Sequence, residues 1–137
     1  MLTLTGQYAL RAMLEIAQAG EGRRMTSQEI ATRAQIPPKY LSVILRGLAQ
    51  AGILDSVRGA GGGFRLRRDA RDVTLFAVVR PFEPRFSTNR ACPFGNRECD
   101  DAHPCAVHHE YKTVVEYERR FLEARNLADV SARLATG

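Results

Sequence analysis

The residues of this chain that could do chemistry are three cysteines and a histidine in its second half, spaced as Cys92-x6-Cys99-x5-Cys105-x2-His108. Thiolate sulfur and imidazole nitrogen are the ligands that iron-sulfur clusters and tetrahedral zinc take in proteins. Cys105 and His108 lie three residues apart at the start of a predicted helix, so their side chains face the same way. The spacing therefore predicts a metal centre with these four ligands, and three scattered buried cysteines are the alternative.

Other uses of the same residues are less well supported. An odd number of cysteines in a reducing compartment argues against a disulfide framework. His103 and His109 are reserve ligands, although a surface histidine explains each of them better. A catalytic pair of Cys105 with His108 or His109 would need an oxyanion hole and an orienting third group, and no recognisable spacing supplies either. The sequence therefore does not indicate an enzyme.

The positive charge of the chain belongs to its N-terminal part. The net charge is +5, and residues 1–80 contribute +6 because twelve Lys and Arg face six Asp and Glu. Residues 81–137 contribute −1, with eight basic against nine acidic residues. A basic patch suits a phosphate backbone, which it binds with release of counterions. On charge alone, an ordinary solvated surface is the alternative.

Three helices are predicted in the basic part of the chain. Thr5 caps a first helix over residues 6–19. The capping box Thr26-Ser-Gln-Glu29 begins a second helix, which ends near Gln35. Proline is favoured at a first helical position, so Pro38 begins a third helix that runs to about residue 51. Two helices joined by such a short turn are a helix-turn-helix.

A wing is predicted next, with strands over residues 53–57 and 64–66 around the glycine-rich turn 59–63. The DNA-reading surface would combine the positive end of the second helix, the polar face of the third, and the wing. The candidate DNA-binding residues are Thr26, Ser27, Gln28, Pro38, Lys39, Tyr40, Ser42, Arg46, Arg58, Gly61, Gly62 and Arg65. Lys39 and Ser42 are the candidates for base contacts, while Tyr40 either reaches a phosphate or packs.

The rest of the chain is predicted to form a cysteine loop and a dimer. Residues 74–79 form a short helix, and residues 81–104 an irregular loop. A long helix over residues 106–124 has an apolar seam, interrupted by Glu118, that pairs with a second copy or packs on its own domain. Asn126 caps a final helix.

The expected fold class is mainly α with a small β-hairpin wing. It consists of a winged helix-turn-helix domain over residues 1–80, a cysteine-bearing loop over 81–104, and a dimerisation helix with a short C-terminal helix over 105–137. No apolar run approaches the ~20 residues that cross a bilayer. The opening stretch is interrupted by Arg11 and Glu15 and precedes no small-residue cleavage site, so it is not a signal peptide. A cytoplasmic protein without membrane attachment is expected.

Several motifs resemble the Rrf2 family of transcriptional regulators, which includes the IscR and NsrR types. The motifs are Tyr8-Ala-Leu-Arg-Ala-Met, Ile36-Pro-Pro-Lys-Tyr-Leu, Leu48-Ala-Gln-Ala-Gly and the wing Ser56-Val-Arg-Gly-Ala-Gly-Gly-Gly-Phe-Arg-Leu. The resemblance covers nearly the whole chain, and the wing is its most specific part. It implies a homodimeric winged-helix repressor that crosses its long C-terminal helices with those of its partner and reads a palindromic operator in double-stranded DNA.

For the cysteine loop, similarity to IscR-type members implies an iron-sulfur cluster with His108 as the fourth ligand. A 2Fe-2S cluster is preferred to 4Fe-4S or zinc, and redox state, nitric oxide or iron supply is the signal. Two positions depart from the family pattern: Cys92 and Cys99 are one residue further apart than usual, and Ser42 stands where many relatives have Glu. A structural zinc site and thiol-only redox sensing are the alternatives on the same scaffold.

Overall fold

The helix at the start of the chain lies at the centre of the fold. The computed structural model describes residues 2–136, so the outermost residues of the predicted regions 1–80 and 105–137 lie outside the described part. In this structure α1 spans Leu4–Gln18. Thr3 has the extended backbone of a cap and accepts a hydrogen bond from the Gly6 N–H at 3.1 Å. The prediction of Thr5 as the cap is therefore wrong, because Thr5 already lies within the first turn. The fully buried side chains of α1 are Ala9, Ala12, Met13 and Ile16.

The predicted helix-turn-helix is confirmed. It consists of α2 (Ser27–Ala34) and α3 (Pro38–Gln50). The Thr26 hydroxyl accepts a hydrogen bond from the Glu29 N–H at 3.1 Å, as expected for the start of α2. Gln35 ends α2 in the left-handed conformation, with φ of 54°, and this turns the chain toward α3.

The predicted wing is an antiparallel hairpin of β1 (Leu54–Val57) and β2 (Gly63–Leu66). Met25 attaches it to the helix-turn-helix, because its backbone exchanges two hydrogen bonds with Phe64, at 2.9 and 2.7 Å. Gly63 permits this approach: its φ is +132°, and a Cβ there would stand 2.5 Å from the Met25 carbonyl oxygen. The wing and the helix-turn-helix are thus one connected unit.

After the wing, the chain forms several short elements and then two longer helices, the last of which packs on α1. Thr74 caps α4, and Asn126 caps α6 by accepting a hydrogen bond from the Asp129 N–H at 2.9 Å, as predicted. Prolines at 81 and 84 fold part of the predicted irregular loop into two 3-10 turns. No helix within residues 2–136 is both long and apolar enough to span a membrane. The elements are a 3-10 turn (Ala70–Asp72), α4 (Leu75–Val79), the turns Arg80–Phe82 and Pro84–Phe86, α5 (His108–Glu123) and α6 (Leu127–Thr136).

A buried ion network joins the start of α1 to the middle of α5. Glu83 is 1% exposed, and its carboxylate accepts hydrogen bonds from the N–H and the hydroxyl of Thr3, at 2.7 and 2.9 Å. The carboxylate also pairs with Arg85. The Arg85 guanidinium donates two bonds to the carboxylate of Glu118 in α5, at 2.6 and 3.1 Å. Glu118, which interrupts the apolar seam of the predicted helix, therefore attaches α5 to the segment that contains Arg85.

Replacement of Arg85 by Met is expected to lower the free energy of unfolding by about 3–5 kcal/mol, because the buried Glu83 carboxylate then lacks its counter-ion. Urea denaturation followed by circular dichroism measures this loss. Arg71→Met is the matched control: its pair with Asp69 is 3.0 Å long, but the Arg71 side chain is 78% exposed, so its loss is expected to leave the free energy of unfolding nearly unchanged. Equal effects of the two variants would contradict the role given to the network.

Candidate DNA-binding face and metal centre

A shallow cleft between α2, α3 and the wing brings together predicted DNA-binding residues of separate elements. It is lined by Ser27 and Gln28 of α2, Pro38 and Ser42 of α3, and Phe64 of β2. The positive end of α2 opens on this cleft, and the first turn of α3 forms another wall. Thr26, Lys39, Tyr40 and Arg46 are solvent-exposed on the same elements.

The outward face of α3 is free of contacts with the core. Leu41, Ile44, Leu45 and Leu48 are buried, which leaves the opposite side of the helix to solvent. Val43 on that side is 65% exposed and offers a methyl surface of the kind that contacts thymine methyl groups. The exposed polar side chains on this side are Lys39, Ser42 and Arg46.

The position of Tyr40 is compatible with both of its predicted roles, which are contacting a phosphate and packing. Its side chain is 58% exposed, yet its ring lies 6.4 Å from that of Tyr8 in α1. Arg11 stacks over Tyr8 at 5.4 Å and donates hydrogen bonds to the carbonyl oxygens of Ala34 and Gln35 at the end of α2. Sequence reasoning missed this capping arginine, which holds α1 and α2 together.

The arginines of the wing differ in how they are held. Arg65 and Arg67 share Asp55, at 3.8 and 3.5 Å, so their charges are partly compensated. Arg58 is exposed at the start of the glycine-rich turn, next to Gly59 and two positions before Ala60. Gly61 is also exposed, and Gly62 is half-buried.

Arg24 is a further residue of this face that sequence reasoning missed. It donates a hydrogen bond to the Gly61 carbonyl oxygen at 3.3 Å, which brings its charge to the tip of the wing. The pair Arg23-Arg24, directly before the strand-like residue Met25, was the available signal.

The cysteine loop contains three free thiols, Cys92, Cys99 and Cys105. The Cys92 side chain is buried, and its sulfur accepts a hydrogen bond from the Phe94 N–H at 3.4 Å. This bond holds the pKa of the Cys92 thiol below its usual value, with smaller contributions from the Asn96 N–H and the side chain of Cys105. The surroundings of Cys92 therefore favour its thiolate form.

Cys99 and His108 are in contact with each other. Cys99 Sγ lies 3.7 Å from His108 Nδ1, and His108 is 3% exposed. On the other side of the ring, Nε2 lies 2.7 Å from Asp101 Oδ1, and Lys112 Nζ donates to both oxygens of the same carboxylate, at 2.9 and 2.8 Å. The hydrogen bond from His108, followed by the contacts of Lys112, lowers the pKa of Asp101 to about 2.

The two reserve histidines have other contacts. His103 is exposed and lies 3.2 Å from the Asp100 carboxylate, and His109 is exposed with its ring against the edge of His108. Sequence reasoning missed Asp101, whose carboxylate lies 2.7 Å from His108 Nε2. The dipeptide Asp100-Asp101 between two cysteines was the only signal for it.

The donor set, three thiols and one imidazole, has the chemistry of a metal centre. Its side chains do not have the geometry of an assembled centre in the described residues. Within residues 2–136, no three side chains of His, Cys, Asp or Glu are grouped as the ligands of one metal ion. Of the four predicted ligands, Cys99 and His108 are in contact, with 3.7 Å between Cys99 Sγ and His108 Nδ1. All four belong to one short segment that contains no helix or strand before His108.

A comparison with known families assigns the chain. Residues 2–133 match the model of Rrf2, described as an iron-dependent transcriptional regulator. The chain belongs to the Rrf2 family. A regulator of Rhodobacter capsulatus named as rrf2-like and of the helix-turn-helix type is 34% identical, over 100% of this chain and 94% of that protein. The family consists of transcriptional regulators and not of enzymes, in agreement with the sequence.

Solved structures confirm the fold of this Rrf2 protein. IscR of T. potens superimposes with a TM-score of 0.77 at 24% identity, covering 98% of this chain and 88% of that one. CymR, the global cysteine regulator of B. subtilis, superimposes with a TM-score of 0.75 at 22% identity, covering 97% of both chains. The mainly helical winged helix-turn-helix fold predicted from the sequence is thereby confirmed, and the protein is a DNA-binding transcriptional regulator.

Proposed function

We propose that this Rrf2 protein is a homodimeric repressor that binds a palindromic operator and is switched by an iron-sulfur cluster in its cysteine loop. The observation that carries the proposal is the position of the donor set: the ligands lie between the winged helix-turn-helix and α5, and His108 is the first residue of α5. Because its partner is the chromosome, the proposal places the protein in the cytoplasm.

In this proposal, the cleft between α2, α3 and the wing is the contact surface for one operator half-site. α3 enters the major groove, where Lys39 and Ser42 meet base edges and Val43 meets a thymine methyl group. Thr26, Ser27 and Gln28 bind a phosphate at the positive end of α2. Support comes from the exposure of these side chains and from the +6 charge of residues 1–80.

The wing completes the half-site contact. Arg58, which no acidic side chain compensates among the salt bridges of the described residues, reaches the backbone or the minor groove, and Gly61 and Gly62 allow the turn to approach closely. Arg65, Arg46 and Tyr40 add phosphate contacts at the edges of the face.

Lys39→Ala and Arg58→Ala are each expected to weaken operator binding without unfolding the protein. The operator is first selected from random duplexes by the wild-type protein, and affinity is measured by fluorescence anisotropy at several salt concentrations. Lys39→Ala should cost about 1–3 kcal/mol and relax base preference, whereas Arg58→Ala should lower the salt slope by about one. Arg71→Ala removes an equal charge from the exposed pair with Asp69 and should leave affinity unchanged. Wild-type affinity in both test variants would contradict the proposed face.

The outer side of α5 supports the homodimer. Val115 and Leu122 are buried against the chain's own core, whereas Val107, Val114 and Phe121 remain 38%, 60% and 56% exposed. These three exposed residues follow one another at steps of seven, which is the repeat that pairs helices in a coiled coil. Tyr117, 79% exposed on the same helix, extends the apolar surface. The two sides of α5 therefore have different partners. One side packs on the chain's own domain, and we propose that the other side pairs with a second copy.

Cys92, Cys99, Cys105 and His108 would hold the cluster, preferably of the 2Fe-2S type. When bound, an iron-sulfur cluster supplies one-electron redox chemistry and reactivity toward oxidants and nitric oxide. The residues of the chain prepare the ligands: the Phe94 N–H favours the Cys92 thiolate, and Asp101 keeps the ring of His108 in place. Hydrogen bonds to ligand sulfur also set the reduction potential of such centres.

Thiol-only sensing is the second candidate, and one observation favours it. All three cysteines of the segment are free thiols, so a two-electron oxidant such as a peroxide could join two of them as a disulfide, with release of their two protons, without a metal. A structural zinc ion on the same four ligands is a further alternative, for which tetrahedral Cys3His coordination is common.

Metal content separates these candidates. Protein purified anaerobically is expected to contain iron and acid-labile sulfide in equal amounts and to absorb visible light, and the triple change of Cys92, Cys99 and Cys105 to Ala should abolish all three signals. Changing exposed Ser87 and Thr88 of the same segment to Ala is the control and should leave the content unchanged. Zinc without iron and sulfide, or a metal-free wild-type protein, would overturn the cluster proposal in favour of one or the other alternative.

A further inference from the structure

We infer that Asp101 is the positioning residue of the cysteine loop: it fixes His108 with the Nδ1 atom toward Cys99 and thereby selects Nδ1 as the metal-binding nitrogen. The inference rests on the proposed metal site, which it deepens by naming the ligating atom and the group that orients it.

The hydrogen bond between Asp101 and His108 determines where the ring carries its proton. His108 Nε2 lies 2.7 Å from Asp101 Oδ1, and an ionised carboxylate only accepts hydrogen bonds, so Nε2 is the protonated nitrogen. The neutral ring then has its free lone pair on Nδ1, which lies 3.7 Å from Cys99 Sγ. Because His108 is 3% exposed, water has little access to replace either contact.

Lys112 keeps this carboxylate in place. Asp101 is 67% exposed and belongs to a loop, so the hydrogen bond from His108 alone would leave it free to rotate. Lys112 donates to both of its oxygens, at 2.9 and 2.8 Å. His108 and Lys112 stand four residues apart on α5, so one carboxylate bridges two successive turns of the helix and ties the loop to it.

Carboxylates in this position are a general feature of metal sites. A metal-binding histidine usually donates its other N–H to a carboxylate, which fixes the ring and raises its basicity, and loss of that partner costs about 10–100-fold in metal affinity. Asp100 provides a contrast, since its carboxylate accepts a hydrogen bond from the Ala102 N–H and lies 3.2 Å from the exposed His103 ring. Asp100→Asn is therefore the matched control for Asp101→Ala.

The first test needs no metal. Long-range 15N–1H NMR of the reduced, metal-free protein reports which nitrogen of His108 is protonated. The wild-type protein and Asp100→Asn are expected to show protonated Nε2 and unprotonated Nδ1, whereas Asp101→Ala should show a mixture of both tautomers. Lys112→Met keeps Asp101 but removes the two hydrogen bonds that Lys112 donates to it, so the tautomer ratio should shift in the same direction by a smaller amount. A wild-type ring protonated on Nδ1, or an unchanged ring in Asp101→Ala, would overturn the inference.

The second test uses the metal-loaded protein. After anaerobic reconstitution with iron and sulfide, Asp101→Ala should lose its cluster to a chelator about 10–100-fold faster than the wild-type protein, and Asp100→Asn at the wild-type rate. Equal rates for all three would overturn the inference. If the wild-type protein takes up no iron and sulfide, the cluster proposal fails, while the same chelator assay with Co2+ as the probe and the tautomer measurement still decide the role of Asp101.

Discussion

The carboxylate of Glu83 is the constraint on which the arrangement of the whole molecule depends. An unpaired carboxylate in such a buried position would cost several kcal/mol, so Glu83 requires both Thr3 and Arg85, and Arg85 in turn engages Glu118. These contacts join the first turn of α1, the segment after α4 and the middle of α5. The winged helix-turn-helix, which is built around α1, consequently has a fixed attachment to the long helix.

Successive turns of α5 perform different tasks. Its first two turns carry His108 and Lys112, which hold the cysteine loop through Asp101. Its outer side carries the exposed heptad that we propose as the dimer contact, and its inner side carries Glu118. In the function that we propose, a change in the loop would act on the helix that is also attached to the DNA-binding unit. Such a shared element is the physical requirement for coupling a ligand site to a binding face, provided that it has two arrangements of different affinity.

Local chemistry explains which parts of the structure were predictable from the sequence. The cap of α2 at Thr26, the start of α3 at Pro38 and the glycine turn of the wing follow from a few adjacent residues, and the structure has all of them. Thr3 and Thr5 offer the same cap to a sequence pattern, and only the backbone angles distinguish them.

Contacts over longer distances were not predictable. Arg85 and Glu118 are 33 positions apart, so nothing local identifies Glu118 as a partner rather than an interruption of a seam. The cysteine spacing likewise names the donor atoms, but the pairing of Cys99 with His108 and the role of Asp101 depend on how the loop folds against α5. Control of DNA binding by this loop is tested most directly by the operator affinity of one anaerobic preparation before and after removal of its cluster. We predict that the two affinities differ by about 5–150-fold, a coupling of ~1–3 kcal/mol, and identical affinities would contradict a switch in the cysteine loop.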